Sequence, residues 1–329
     1  MRKLFNFIAP VMAGIMLLSG CAATAPASQT PAAPAAVEGG LTFTTGGEQG
    51  TYYRFGLVLA EKVAASTDTV LNTVVSEGSQ ENINALQNGS AMVGFAQTDV
   101  LSYAYEGTRL FDSKADNISM IAELYKEQLQ IITLDPGLKS VADLKGKNVS
   151  IGSSGSGVYF NAIDVLEAYG LTERDISPTY QSFADSVNAL KSGKIDAAFV
   201  VAGAPTSAVS GLAATDDVYM ISLDEEHINK LIESSPHYSR AVIDKRTYNT
   251  ATDINTVAVG AVLVASDEAS EEDIYNVISG IYENAGAIAK VHAKGAELDL
   301  TAAAAVTSVP YHPGAAKYYA EKGITVPVK

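Results

Sequence analysis

Two short loops hold the residue types best suited to chemistry. Gly46-Gly47-Glu48-Gln49-Gly50-Thr51 and Gly152-Ser153-Ser154-Gly155-Ser156-Gly157 each follow an apolar run that reads as a strand and open a periodic segment that reads as a helix. At the start of a helix the first backbone N–H groups have no helical partner, and the helix dipole adds partial positive charge. Glycines let a ligand approach that backbone, and Ser or Thr adds a hydroxyl donor. The combination suits a carboxylate or a phosphate. The same residues also make tight turns and helix caps, and a single loop would not separate the two uses. A pair, one in each half of the chain, points to binding.

Other chemistries find little support. Neither loop has the lysine of a phosphate-binding P-loop. Phe160 stands where a dinucleotide fingerprint needs its third glycine. Gly-Ser-Ser-Gly around Ser154 is not the Gly-x-Ser-x-Gly of a hydrolase elbow. The four histidines, His227, His237, His292 and His312, lack metal-ligand spacing and read as surface or structural residues, with His312 shaping a turn. No acid, base and nucleophile set can be assembled, so the chain reads as a binding protein without cofactor or metal rather than an enzyme.

The elements that must hold these loops follow a strand–helix rhythm. Leu41–Thr45, Val70–Val75 and Ala91–Ala96 read as strands. Between and after them, residues 51–65, 79–88 and 100–105 read as helices, the first with Phe55, Leu59 and Val63 on one face. The rhythm restarts with a strand at Asn148–Ile151, helices over 158–169 and 184–191, and a strand at Ala197–Val201. Pro205 then reads as the first residue of a helix, where its missing N–H costs nothing. A third block has a strand at Val257–Val264, one helix over 270–290 and a terminal helix at Ala315–Lys322. Such alternation predicts an α/β fold with a largely parallel sheet covered by helices.

The start of the chain reads as an export signal. Arg2 and Lys3 precede the apolar run Ile8–Leu18, which is shorter than the ~20 residues of a good membrane span. Leu18-Ser19-Gly20-Cys21 resembles a bacterial lipobox, in which the cysteine is acylated and becomes the first mature residue; an ordinary signal cleaved near Ala-x-Ala is the alternative. Residues 1–20 are expected to be the signal and 21–38, rich in Ala and Pro, a tether. Cys21 is the only cysteine, so no disulfide forms within the chain. Loss of Arg2 and Lys3 takes the formal charge from −15 to −17. That balance argues against nucleic acid or an anionic membrane surface as partner. The remaining length, about 290 residues, is long for one core and suggests two lobes.

A wider set of motifs extends this reading. Gly46-Gly47-x-x-Gly50-Thr51-Tyr52-Tyr53, Glu77-Gly78-Ser79-x-Glu81-Asn82, Phe95-Ala96-Gln97-Thr98-Asp99, Gly155-Ser156-Gly157 and Ala202-Gly203-Ala204-Pro205 stand in order, and Pro310-x-His312-Pro313-Gly314 ends the series. Together they resemble the TAXI subfamily of receptors for TRAP (tripartite ATP-independent periplasmic) transporters, over about residues 41–323. The resemblance implies a two-lobed periplasmic-binding-protein fold with two hinge strands, placed near Leu129–Thr133 and Val257–Leu263. Lobe I is then 39–130 plus 257–329, and lobe II is 131–256. It implies a monomer outside the membrane, lipid-anchored at Cys21, that captures glutamate, 2-oxoglutarate or a related carboxylate and hands it to an ion-driven TRAP permease subunit.

Carried over by motif, the ligand is expected to meet Gly50, Thr51, Tyr52, Ser79, Asn82 and Gln97 from lobe I. From lobe II come Ser154, Gly155, Ser156, Gly157, Val158, Ala202, Gly203 and Pro205. Val158 departs from the threonine usual in the subfamily, removing a donor. Arg54 stands where proline is common; it reads as a solvated helix residue, with pairing to a ligand carboxylate as the alternative. An ABC importer or a sensor kinase would be served by the same fold and signal.

Overall fold

The computed structural model describes residues 37–329. The signal, the lipobox with Cys21 and nearly all of the expected tether lie outside the described residues.

The chain forms β1 (Leu41–Thr44), α1 (Thr51–Ser66), β2 (Leu71–Val74), α2 (Ser79–Gln87), β3 (Val93–Gln97) and α3 (Thr98–Glu106). The long strand β4 (Ile118–Thr133) then leads to β5 (Asn148–Ser150), α4 (Val158–Ala168), β6 (Ser177–Thr179), α5 (Phe183–Lys191) and β7 (Ala197–Ala202). After these come α6 (Ser207–Ala213), β8 (Tyr219–Met220), α7 (Glu225–Ser234), β9 (Ser239–Ile243) and a second long strand, β10 (Ile254–Ser266). Helices α8 (Glu271–Tyr282), α9 (Ala285–Val291), α10 (Leu300–Ala303) and α11 (Pro313–Glu321) complete the fold.

One curled sheet runs through the molecule in the order β2-β1-β3-β10-β4-β7-β5-β6. The outer strands pair in parallel, as the alternation predicts: β2 with β1, β1 with β3, β7 with β5 and β5 with β6. The two long strands are antiparallel to each other and to all their other neighbours, β8 and β9 included, so the sheet is mixed rather than largely parallel as expected, because β4 and β10 run through both halves of it. On β4, residues 118–128 pair with β10 and residues 128–133 pair with β7. Each long strand therefore belongs to both lobes, and the changeover falls at Glu127–Gln128 on β4. The expected crossing near Leu129–Thr133 begins at the next residue. Strand β4 is also much longer than the segment read as strand; Glu123, Lys126 and Glu127 interrupt its apolar pattern and hide the first half.

Each lobe packs its own apolar interior. Phe43, Phe55, Leu59, Phe95, Val262 and Tyr319 centre one core. Ile131, Val149, Val165, Phe199, Ile228 and Val257 centre a second, with a satellite around Ile132, Ala198, Leu212 and Tyr248 on the other face of β7. The two faces of β4 explain the split: Ile131 and Ile132 point to opposite sides of the sheet and enter different clusters.

Two local expectations need correction. Pro205 does not open a helix: the Ala204–Pro205 peptide is cis, Thr206 is the N-cap and α6 begins at Ser207. The helix expected over 270–290 is two, because the chain turns at Glu283–Asn284 and restarts at Ala285. His312 is the N-cap of α11, its ring accepting from the Gly314 N–H, so its turn role is structural.

Candidate functional site

The loops between strands and helices meet along the seam where the lobes face each other. Helices α1, α2, α3 and α4 all begin there, with Gly50, Gly78, Gln97 and Gly157 as N-caps, and none of the four has a side chain capping it. Five other helices are capped by Ser182, Asp224, Ser270, Asp299 and His312, while the short helices α6 and α9 also start without a side-chain cap. A capping side chain typically contributes about 1 kcal/mol, so four helix starts without one, gathered in one place, mark a region built for something else. Gly78 sits at φ 120°, a backbone that only glycine adopts freely, and this swings α2 toward the seam.

The lobes touch directly. Thr51 Oγ1 donates to the Gly203 carbonyl at 2.9 Å. The Glu81 N–H donates to Gly155 at 3.0 Å, and the Ala208 N–H to Gln49 at 3.2 Å. Asn161 Nδ2 of α4 donates to Asp99 Oδ2 of α3 at 2.7 Å. At the far side Arg109 pairs with Asp164 while its guanidinium lies over the Tyr103 ring.

Most of the residues expected from the sequence converge here. Tyr52 stacks on Phe95, with ring centroids 4.6 Å apart and planes 10° apart, which aims its hydroxyl at Glu127 Oε2, 3.2 Å away. Ser79 Oγ accepts from the Gln97 N–H at 3.1 Å and lies beside the Tyr52 hydroxyl. Gly157 presses on the Gln97 amide and on Ser79. Ser156 is buried against Gly78, and its Oγ has no partner; Gln97 Oε1 has none either. A cavity of about 420 Å³ at the mouth of the seam is lined by Gly50, Ser76, Glu77, Ser153, Ser156 and Phe183, among others.

Other expected residues are placed differently. Asn82 is wholly buried, and its amide donates to the Thr45 and Phe95 carbonyls while accepting from Ser76 Oγ. All its bonding is committed to tying α2 to the ends of β1 and β3. Ser154 and Pro205 are exposed. Val158 packs inward against Gly152, and the Ala202 carbonyl accepts from Gln130 within the lobe. Arg54 is half-buried rather than simply solvated; it donates to the Glu48 carbonyl and to Gln49 Oε1, holding the first loop in shape.

Sequence reasoning missed the charged centre of the seam. Glu127, 2% exposed, lies on β4 where the strand passes between the lobes. It accepts from Tyr52 and from Tyr125, the latter at 3.4 Å, and the Gln97 side chain reaches it as well. Burial raises its pKa to about 8, outweighing the hydrogen bonds that favour the carboxylate. Asp99 is wholly buried too and raised to about 6 by burial. A usable signal was present: Glu127 stands in alternation with Tyr125 and Leu129, on the inward side of a strand. A larger cavity, about 680 Å³, lies beyond α3 among Arg109, Asp164, Lys230 and His237. It contains none of the residues expected from the motifs. Among the described residues no group of His, Cys, Asp and Glu could hold a metal ion, and no helix is long and apolar enough to cross a membrane.

Two α/β lobes joined by long shared strands, with strand-to-helix loops facing across a seam, define the fold of the two-lobed solute-binding proteins. Residues 43–323 match the NMT1-like family, and the chain belongs to it. Solved structures of the same fold include an ancestral arginine-binding protein bound to arginine, with 15% identity over 78% of this chain and 97% of that one and a TM-score of 0.50. The ligand-binding component of an ABC-type import system from Staphylococcus aureus, with zinc bound, shares 10% identity over 86% of this chain and 91% of that one, with a TM-score of 0.50. The alkanesulfonate-binding protein from Xanthomonas axonopodis pv. citri, bound to MOPS, shares 18% over 88% and 92%, with a TM-score of 0.49. For the arginine-binding protein and the Staphylococcus aureus component the likeness is one of fold alone.

Proposed function

We propose that this chain is an extracytoplasmic receptor, not an enzyme, that captures a small carboxylate between its lobes and delivers it to the membrane subunit of a TRAP transporter. The observation that carries the reading is the gathering of four helix N-termini without side-chain caps at one seam, beside the buried, unpartnered hydroxyl of Ser156. Backbone N–H groups and helix dipoles together favour an anion there. The TAXI-like order of motifs supports the transport system and the carboxylate class, with glutamate and 2-oxoglutarate as the first candidates.

Small molecules released from the purified protein are identified by mass spectrometry and titrated back by calorimetry. A bound carboxylate is expected to raise the melting temperature, with stabilisation of about 2.7 kcal/mol at roughly 100-fold excess over Kd. The absence of any carboxylate among released or rebinding compounds refutes the reading. Because the solved relatives include a component of an ABC-type import system, the energy source needs its own test. Uptake through the reconstituted membrane subunit should follow an ion gradient without ATP; ATP-dependent uptake assigns the receptor to an ABC importer instead.

The anchor is a separate proposal. Cys21, after Leu18-Ser19-Gly20, is expected to carry lipid as the first mature residue. Cys21→Ala should release the protein into the soluble fraction or leave its precursor uncleaved. An intact mass with a different, lipid-free terminus rules the anchor out.

A further inference from the structure

Three buried side-chain atoms without partners cluster where α3 and α4 meet: Gln97 Oε1, Asp99 Oδ1 and Asn161 Oδ1. All three are amide or carboxyl oxygens, able only to accept when the acid is ionised. Next to them lies the Glu127 carboxyl, reached by the Gln97 side chain and near enough to Asp99 for the two acids to repel. The region is rich in acceptors. Tyr52, Tyr125, the Gln97 amide nitrogen and Asn161 Nδ2 are donors within it, and each already has an acceptor; the Glu127 carboxyl donates only while protonated. Lys294, the nearest buried cation, lies behind the Tyr125 ring and pairs with Glu297 at 2.6 Å.

Burying two acids and several lone acceptors without a cation is costly. A ligand group that brings three N–H donors and a positive charge removes that cost. The starts of α1, α2 and α4 on the same seam favour a carboxylate. We propose that Glu127, with Asp99, forms an ammonium-binding subsite on the hinge strand, so that the receptor selects α-amino acids over the corresponding 2-oxo acids. This rests on the carboxylate-receptor reading above and narrows it. Gly157 of the opposite lobe covers Gln97 and Ser79 in the closed seam, so the subsite is reached when the hinge opens.

Proton bookkeeping gives a second signature. Free Glu127 titrates at about 8, raised by burial, so it is largely protonated at pH 7. The groups facing it are Tyr52 from α1, Gln97 and Asp99 from the β3–α3 junction and Tyr125 from its own strand; both tyrosines are pushed well above 10 and stay neutral. An arriving ammonium favours the carboxylate, and Glu127 releases its proton to solvent. Amino-acid binding should therefore tighten as pH rises from 6 toward 8.

The test pairs ligands that differ only at the amino group: L-glutamate with 2-oxoglutarate, L-aspartate with oxaloacetate, L-alanine with pyruvate and L-leucine with 4-methyl-2-oxopentanoate. Calorimetry on the purified protein should show the amino acid of the best pair binding at least about tenfold tighter than its oxo acid, a difference of ~1.4 kcal/mol. Titration at pH 7 in buffers of different ionisation enthalpy should show proton release. Glu127→Gln should abolish that release and bring the two members of the pair to within about threefold of each other, a difference of ~0.7 kcal/mol. Asp99→Asn, the second variant, should reduce the preference if Glu127→Gln does not fold. Oxo acids that bind as well as amino acids overturn the subsite and leave the carboxylate reading intact. Equal loss of both partners of a pair in Glu127→Gln makes the residue structural and also overturns it. Failure of all eight compounds and of every released carboxylate overturns both.

Discussion

Ser156→Asp is expected to weaken ligand binding by about a hundredfold or more while leaving the fold intact. Ser156 stands just ahead of α4, buried against Gly78 of the other lobe. Its hydroxyl does not cap the helix: Gly157 is the N-cap and Ser156 Oγ has no partner. An aspartate there suits a helix N-terminus and should not lower the melting temperature of the free protein. It does place a fixed negative charge where the proposed ligand carboxylate must go. At 4 Å the repulsion is on the order of 4 kcal/mol for an effective dielectric of ~20, and each ~1.4 kcal/mol is tenfold in affinity. Closing the seam over a second buried charge acts in the same direction. Ser210→Asp, on the exposed face of α6 in the same lobe, is the charge control and should bind normally. Folded Ser156→Asp protein that binds within about threefold of wild type, well inside one tenfold step, would remove the anion site from this helix start.

Gly157→Ala tests closure without changing charge. The backbone at Gly157 is right-handed, at φ −72° and ψ −22°, so alanine fits it without strain. In the unfolded chain alanine has less freedom than glycine, which favours folding by ~0.4–1 kcal/mol. The added methyl, however, would overlap the Gln97 amide across the seam and stand 3.0 Å from Ser79 Oγ. Gln97 is 2% exposed and has no room to swing away. The variant should therefore melt at or slightly above the wild-type temperature, yet fail to compact on adding ligand and bind at least about tenfold more weakly, a loss of ~1.4 kcal/mol or more. Small-angle scattering with and without ligand reads the first effect and calorimetry the second. Gly211→Ala, where an added methyl meets nothing within 4 Å, should compact and bind as wild type. Normal compaction of Gly157→Ala would mean that the seam closes differently in solution.

Much of this architecture was legible because it is local. Apolar alternation with period two, and a stripe of Phe55, Leu59 and Val63 with helical period, are properties of a short segment, and β1–α1–β2–α2–β3 appear within a few residues of where the pattern puts them. Gly-Ser and Gly-Thr turns before helices are equally local. The loops around Thr51, Ser79, Gln97 and Ser156 could therefore be named as a set before their meeting could be seen. The missed elements are those whose local pattern conflicts with their environment. The first half of β4 carries Glu123, Lys126 and Glu127 and looks too charged for a central strand; it is one because β10 pairs along it from Ile118 to Gln128.

Sequence by itself determined the alternating α/β class, the two glycine-rich loops at helix starts, the single cysteine and the acidic balance, since each depends on composition or near-neighbour spacing. Only the tertiary structure decided what the same polar residue types do. Asn82 and Gln97 are both buried amides following strands, yet Asn82 is saturated by three bonds within its lobe while Gln97 keeps a bare oxygen facing the other lobe. The difference is one of partners, and partners come from strands and helices distant in the chain. Glu127 is the sharpest case. Its charge is visible in the sequence, but its environment is made by Tyr52, 75 residues away, and by the Gln97–Asp99 turn. Desolvation by those neighbours, not the residue's own chemistry, sets its proton affinity.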